Sequence, residues 1–495
     1  MTGALMVCGT ASDVGKSHVV TGLCRLLRRK GVKVAPFKAQ NMALNSFVTR
    51  AGHEIGRAQA AQAFAAGVEP EIAMNPVLLK PTGERTSQVV VMGRPIGHFD
   101  AAGYQTEKRR LGPIVERALS DLRARFDVVI LEGAGGAAEI NLLDDDIVNL
   151  RLADRAGVPA IIVADIDRGG AFAALFGTVG LLPPELRRLV KGFVINKFRG
   201  DPTLLDDGLL DLERRAGVPT LGVLPYLHDV ALDAEDSLSL TGHRPRPEHG
   251  HVGDPLDVAV VRFPRIANFT DFDPLGIEPG VTVRLIDEPG ALGNPDLIIL
   301  PGTKATVSDL GWMRGRGFDR AIAGARRNGS VILGICGGYQ MMGQSIADDI
   351  ESDAAKVEAL GWLDVHTVFE WDKVTRQRRG TYAGRRLTGY EIHHGHVHGG
   401  MAWIALDDVY GTEGEGATAN DGQILGTVLH GLFEEDGFRA AFLADVGRRR
   451  RKTFVPAHVS FAAARGTQID RLADMIDAHL DVTTVEALIK AGTAA

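Results

Sequence analysis

The sequence predicts an α/β protein of two domains, each a mostly parallel sheet flanked by helices. Three observations predict it. The chain has 495 residues, too many for one ordinary core and suited to two or three domains. Short apolar runs alternate with longer amphipathic stretches, the rhythm of strands buried on both faces between helices. Many of the 60 glycines stand just after those apolar runs, where such a sheet turns from strand to helix.

The elements follow in order. Leu5–Cys8 reads as a strand, Ser17–Arg29 as a helix and Val32–Phe37 as a second strand. Val128–Leu131, Ala160–Ala164, Gly192–Ile195 and Thr220–Leu224 are further buried strands. A first domain is expected over 1–235. Residues 236–254 lose periodicity and gather Pro, Gly and His, which marks a linker. Val258–Arg262 restarts the pattern, and Val281–Leu285, Leu297–Leu300 and Val331–Ile335 continue it, so a second domain is expected over 255–450. Residues 451–495 form a helical extension, expected to pack back onto the second domain or at an interface.

Composition narrows the functions. Net charge is −7, which offers no general attraction to nucleic acid or to an anionic membrane. The basic run Arg448–Lys452 reads as a solvated helix end. Three scattered cysteines, Cys8, Cys24 and Cys336, make neither a disulfide framework nor a zinc site and suit a reducing cytosol. No basic stretch and cleavage site precede the first strand, and no apolar run approaches a membrane span, so a cytoplasmic location is expected.

Residues 9–17, Gly-Thr-Ala-Ser-Asp-Val-Gly-Lys-Ser, join a strand to a helix. Five residues separate Gly9 from Gly15, one more than the strict Walker spacing. The chemistry is present nonetheless. Gly15 lets backbone approach a phosphate, and the helix N-terminus adds positive potential. Lys16 can neutralise β/γ-phosphates and Ser17 can ligate Mg²⁺. Thr10, Asp13, Gly15, Lys16 and Ser17 are therefore the ATP-binding candidates. Glu132 ends the strand of Val128–Gly136, at the carboxyl edge where open α/β sheets bind ligands, and is a second candidate for Mg²⁺. Asp167 and Arg168 of the Asp165–Gly170 turn are placed for phosphate, metal or substrate, with a structural Asp–Arg pair as the alternative. Lys38, ending the second strand, is a candidate for stabilising an anionic intermediate.

Val331–Gly343 sets Cys336 between a buried strand and a helix, in Gly334-Ile-Cys-Gly-Gly. Such an elbow pushes a nucleophile into the open, and the helix start favours thiolate. A free thiol is only about 3% ionised at neutral pH, so a base is required. His430, after the apolar run at Val428, is the choice. Gly337 and Gly302, the latter in Pro301-Gly-Thr, are candidates for an oxyanion hole. Four His fall within residues 393–398. Their alternation reads as a strand beside a cleft, since no carboxylate or Cys set at ligand spacing accompanies them. One module thus suits nucleoside triphosphate chemistry and the other attack on an acyl carbon, the combination of an ATP-driven amidating enzyme that takes nitrogen from glutamine.

The phosphate loop, the Lys38 segment and the Glu132-Gly-Ala-Gly-Gly turn resemble the dethiobiotin synthetase type of ATPase. The resemblance implies that Asn196 and Pro225 lie where adenine is recognised. It also implies an Asp metal ligand in a region that here reads Gly56-Arg-Ala-Gln-Ala-Ala-Gln62, leaving Gln59 or a water as substitutes. The Cys336 segment resembles class I glutamine amidotransferases, which carry a Glu two residues after the His. Leu432 stands at that position, with Glu434 and Glu435 nearby. Gly389-Tyr-Glu-Ile-His393-His-Gly395, Asn75–Pro81 and Asp165–Gly170 together resemble the cobyric acid synthase family over essentially the whole chain. That resemblance implies ATP, Mg²⁺ and glutamine as reactants and a corrinoid substrate, amidated on carboxylates b, d, e and g of adenosylcobyrinic acid a,c-diamide. Charge alone marks Arg168, Arg199 and Lys80 as contacts for the corrin ring. Cobyrinic acid a,c-diamide synthesis, amidation of another polycarboxylate and a partitioning-type ATPase switch are the alternatives.

Overall fold

The computed structural model describes residues 1–83, 85–228, 230, 253–352 and 354–492. Most of the expected linker, 236–252, lies outside the described residues. The first sheet runs in the order Thr220–Pro225, Val190–Phe198, Ala160–Asp165, Gly3–Gly9, Val128–Glu132, Val34–Phe37, every pair parallel. Its central strand shows why the run is wholly apolar. Leu5 and Val7 point into one core with helix Lys16–Arg29, while Ala4, Met6 and Cys8 point into another with helix Ala101–Arg125. A strand covered on both faces has no polar side to show.

The second sheet runs Val281–Ile286, Leu256–Val261, Leu297–Leu300, Val331–Ile335, Ile424–Thr427, Ala417–Ala419, parallel except for the last pair. Against its edge stands a long antiparallel hairpin, Val365–Tyr382 with Arg385–Gly399. The second strand of the hairpin contains the 393–398 segment expected as a strand, whereas its first strand and a four-stranded sheet of Gln40–Met42, Val77–Pro81, Thr86–Val91 and Arg94–Asp100 have no counterpart among the strands expected from sequence. Both carry charged and polar residues between the apolar ones, so neither presents a continuous apolar run.

Of the two expectations for the C-terminal helices, packing on the second domain is corrected: their apolar face lies on the first domain, while Arg465 reaches Glu434 of the second at 3.1 Å. Phe461–His479 lies along Lys16–Arg29 and buries Ile469, Leu472, Met475 and Ile476 in the core of the first. Each such side chain contributes about 1.5–3 kcal/mol on full burial, so the segment is integral to that domain. Arg25 and Arg29 bind Asp470 at 2.6 Å and Lys30 binds Glu486 at 2.8 Å along the seam. The Arg448–Lys452 run is likewise not simply solvated. Arg450 and Lys452 turn onto the buried Asp296, at 3.2 and 2.6 Å. No described helix is long and apolar enough to cross a membrane.

Candidate active site

Two clusters lie at the carboxyl edges of the two sheets. In the first, Gly15 takes φ 95°, and a Cβ there would stand 2.1 Å from Nδ2 of Asn196. Only glycine fits both the left-handed backbone and the close approach. The helix therefore starts directly at Lys16. Its ammonium donates to the carbonyls of Ala11 (2.8 Å) and Gly135 (3.1 Å), drawing the phosphate loop to the glycine turn after Glu132. Thr10 is held by its amide on the Val163 carbonyl at 3.0 Å. Asn196 donates to the Val14 carbonyl at 2.8 Å, so in this structure it braces the loop from below.

Glu132 is the hub of this cluster and is 1% exposed. Its Oε1 accepts from Ser17 Oγ at 2.8 Å and from Lys38 Nζ at 2.9 Å, and its Oε2 accepts from Gln62 Nε2 at 2.5 Å. Gln62, rather than Gln59, therefore stands beside the carboxylate. Gln59 accepts from Asn41 instead, at 3.0 Å. The predicted substrate residues divide. Lys38 is buried beside Glu132, whereas Asp167 and Arg168 sit at the outer rim. Asp167 pairs with Arg199 at 2.7 Å, which holds its carboxyl below the usual range, and Arg168 pairs with Asp13. Arg199 stacks on Tyr226, 3.5 Å from the ring centroid. Pro225 ends the neighbouring strand.

Lys80 is a correction. Charge alone suggested a ring contact, but Lys80 is 4% exposed and donates to Glu54 at 2.6 Å and Ser46 at 3.0 Å. It lines the cavity of the second cluster. A long cationic side chain on a mostly polar segment reads as surface until its carboxylate partner, 26 residues away, is known.

In the second cluster Cys336 takes φ 49° between strand Val331–Ile335 and helix Gly337–Met341. This is the strained elbow expected from the flanking glycines. His430 and Cys336 line the same cavity. Gly302 lies against the imidazole. A Cβ there would stand 2.9 Å from His430 Cε1, and one on Gly337 would stand 3.1 Å from Thr303 N. The 301–303 turn thus packs on both the histidine and the cysteine turn, as an oxyanion hole built from Gly302 and Gly337 requires.

The residue that sequence reasoning missed is Asp271. Its Oδ2 binds His430 Nδ1 at 2.7 Å and its Oδ1 accepts from the Gly431 amide at 2.9 Å. Burial pulls the His430 pKa down, but the Asp271 charge and hydrogen bond, with Cys336, outweigh it and push the pKa up to about 10. Glu434 and Glu435 are engaged elsewhere, the first with Arg57 (2.6 Å) and Arg465 (3.1 Å), the second with Thr388 (2.7 Å). The missed signal was a carboxylate in a loop beyond a strand's carboxyl end, the rule that singled out Glu132.

Asp271 is anchored across the domain boundary. The Ser46 amide donates to Asn268 Oδ1 at 2.8 Å, and the Phe269 amide donates to Asn45 Oδ1 at 3.0 Å. Asn268 takes φ 53°. The 39–46 segment after Lys38 therefore grips the turn that carries Asp271. Asn268→Gly keeps the backbone conformation and removes one buried bond, worth about 1–3 kcal/mol when its partner is left unpaired. It is expected to lower glutamine-dependent turnover roughly tenfold or more while sparing ammonium-driven turnover, as paired steady-state assays would register.

Comparison with known proteins agrees with this division. Residues 5–240 match the model of the CobQ/CobB/MinD/ParA nucleotide binding domain, and residues 257–438 that of the CobB/CobQ-like glutamine amidotransferase domain. The chain is 51% identical to the cobyric acid synthase of Frankia casuarinae, over 100% of this chain and 98% of the relative. It is 50% identical to those of Rhodococcus jostii (99% and 96%) and Streptomyces coelicolor (99% and 97%). With a nucleotide-binding sheet, a cysteine–histidine elbow and this likeness along its whole length, the chain belongs to the cobyric acid synthase family of glutamine-dependent ligases.

Proposed function

We propose that this chain amidates carboxylates b, d, e and g of adenosylcobyrinic acid a,c-diamide, using glutamine and ATP. The observation that carries the two-site reading is the shared wall: the cavity holding Cys336 and His430 is lined by Lys80 of the first domain, so nitrogen released at the cysteine emerges against the ATP-using domain.

At the cysteine site, Sγ of Cys336 attacks the glutamine amide carbon. The Gly302 and Gly337 backbone steadies the developing oxyanion. His430, oriented by Asp271, hands its proton to the leaving nitrogen. Ammonia departs, a thioester remains, and water releases glutamate. At the first site a substrate carboxylate oxygen attacks the γ-phosphorus of ATP and ADP leaves. Ammonia then attacks the acyl carbon and phosphate leaves. Phosphorylation is needed because a free carboxylate is a poor electrophile.

Lys16 holds charge on the transferring group, and Lys38 faces the same carboxylate hub. The donor set there fits Mg²⁺. Ser17 Oγ and Glu132 Oε1 lie 2.8 Å apart and are hard oxygen ligands. The ion, when bound at Ser17 and Glu132, supplies neutralisation of phosphate charge. The reading goes with a reducing cytosol, where Cys8, Cys24 and Cys336 stay free thiols.

Mass spectrometry of adenosylcobyrinic acid a,c-diamide incubated with the protein, Mg-ATP and glutamine tests it. Four successive acid-to-amide shifts, each requiring ATP, are expected. Intact ATP hydrolysis without any shift points to another polycarboxylate. Absence of both amidation and glutaminase activity points to a switch.

A further inference from the structure

The cavity beside Cys336 carries more charge than the thiol chemistry uses. Lys80, Lys304, Lys373 and Glu351 line it together with Cys336 and His430. Glu54, fully buried, bridges Lys80 at 2.6 Å and Lys373 at 2.5 Å. Lys304 pairs with Glu351, and both side chains are at most 9% exposed. Three ammonium groups thus face two carboxylates. The two histidines on the wall do not alter the balance. Burial pushes His393 down to about 3, helped by the charges of His396 and His430, and burial pushes His394 down to about 4. His430 is balanced by Asp271. Apart from the reacting sulfur of Cys336, whose charge is lost when the thioester forms, one positive charge is left over in a site largely removed from water, where an uncompensated ion is costly.

We propose that Lys373, with Lys304 and Lys80, forms the subsite that holds the α-carboxylate of glutamine while its side-chain amide lies at Cys336. The proposal rests on the glutaminase reading of Cys336 and adds which residues select an amino acid over a simple amide. One carboxylate is the charge the site lacks. The arrangement also makes the first domain a part of the glutamine site, since Lys80 and Glu54 come from it and their partner Lys373 comes from the hairpin. An ammonium ion is disfavoured among three lysines, so ammonia leaving Cys336 stays uncharged in this cavity.

The charge balance has a pH consequence. Burial, aided by the Lys80 and Lys304 charges and opposed by Glu54, pushes Lys373 down to about 8. The groups facing it are Glu54 on Glu54–Gly56, Lys80 on Val77–Pro81, Lys304 after Leu297–Leu300, Glu351 after Ser345–Asp348 and His394 on Arg385–Gly399. His98 on Arg94–Asp100 lies within reach of the Lys304 and Glu351 charges. Below pH 8 Lys373 is charged and binds the carboxylate. Above it the proton is lost, and glutamine binding weakens by up to about tenfold per pH unit.

The experiment is steady-state glutaminase kinetics of the full chain and of Lys373→Met, with glutamine and with 4-aminobutanamide, which lacks the carboxylate. Expected results are a KM for glutamine raised about 10- to 100-fold with kcat changed less than about threefold. The preference for glutamine over 4-aminobutanamide should fall by the same factor, and the rise of KM above pH 8 should disappear. Lys373→Arg should recover part of the KM. Ammonium-driven amidation, unchanged in the variant, reports that it is folded. An unchanged KM and unchanged preference for glutamine would overturn the subsite and leave the glutaminase standing. Failure of the parent protein to hydrolyse glutamine at all would overturn the glutaminase reading, and the subsite with it.

Discussion

Cys336→Ala is expected to abolish glutamine-dependent amidation, by about 10⁴-fold or more, while leaving amidation from ammonium salts near its original rate. Lys16→Ala is expected to abolish both. The asymmetry follows from where the residues stand. In the proposed mechanism Cys336 forms the bond to the amide carbon, and neither His430 nor the Gly302 and Gly337 backbone can replace a missing nucleophile. Ammonia supplied from solution bypasses that step. Lys16 belongs to the step that every nitrogen source shares. Its ammonium sits between the Ala11 and Gly135 carbonyls, where under the proposed mechanism it meets phosphate charge as it shifts in transfer. Removing one such preorganised charge costs about 10²–10³-fold or more. Initial-rate assays with the two nitrogen sources, run in parallel for both variants, measure this. Loss of ammonium-driven activity in a folded Cys336→Ala would mean that the two sites are not separate.

Asp271→Asn is the second large effect, expected at about 10²- to 10⁴-fold in glutaminase kcat, with ammonium-driven amidation intact. Both hydrogen bonds at Asp271 are accepted by the carboxylate, one from His430 and one from the Gly431 amide. An amide has one acceptor and one donor end. If its oxygen serves Gly431, its NH₂ faces Nδ1, and the imidazole must take the other tautomer, with its proton toward Cys336. If its oxygen serves His430, the Gly431 amide is left facing a donor. The charge is lost in either case. His430 owes its raised pKa to that charge against the opposing effect of burial, so the imidazolium is given up at lower pH. The alkaline limb of the glutaminase kcat profile at saturating glutamine, set in the parent by a pKa of about 10, should move toward neutrality. A pH–rate profile of the variant checks this, and an unmoved limb with unchanged kcat would remove Asp271 from the site.

What was legible in the chain was local. The parallel strands announced themselves because a strand covered on both faces must be apolar throughout, as Ala4–Cys8, Val128–Leu131 and Val331–Ile335 are. The two turns announced themselves through their glycines: Gly15 at φ 95°, which only glycine adopts without strain, and Gly334, Gly337 and Gly338 around Cys336, which is held strained at φ 49°. Glu132 was found because one topological rule places ligands at strand ends. The C-terminal helix Phe461–His479 shows the limit. Its apolar stripe says that one face is buried, but a stripe is satisfied by any apolar surface, and only the fold assigns it to Lys16–Arg29.

The pairings that decide the chemistry join residues with no local mark. Asp271 lies 159 positions before His430, and Glu54 lies 319 before Lys373. Each is an unremarkable carboxylate until burial removes water and makes its one partner the dominant interaction. The sequence by itself determined the strands of the two parallel sheets, the two turns and the candidate residues around them, because backbone sterics and apolar periodicity act over a few residues. Only the tertiary structure decided which carboxylate orients His430, which domain holds the C-terminal helices, and that Lys80 faces the cysteine cavity, because desolvation and charge pairing depend on what the fold brings together.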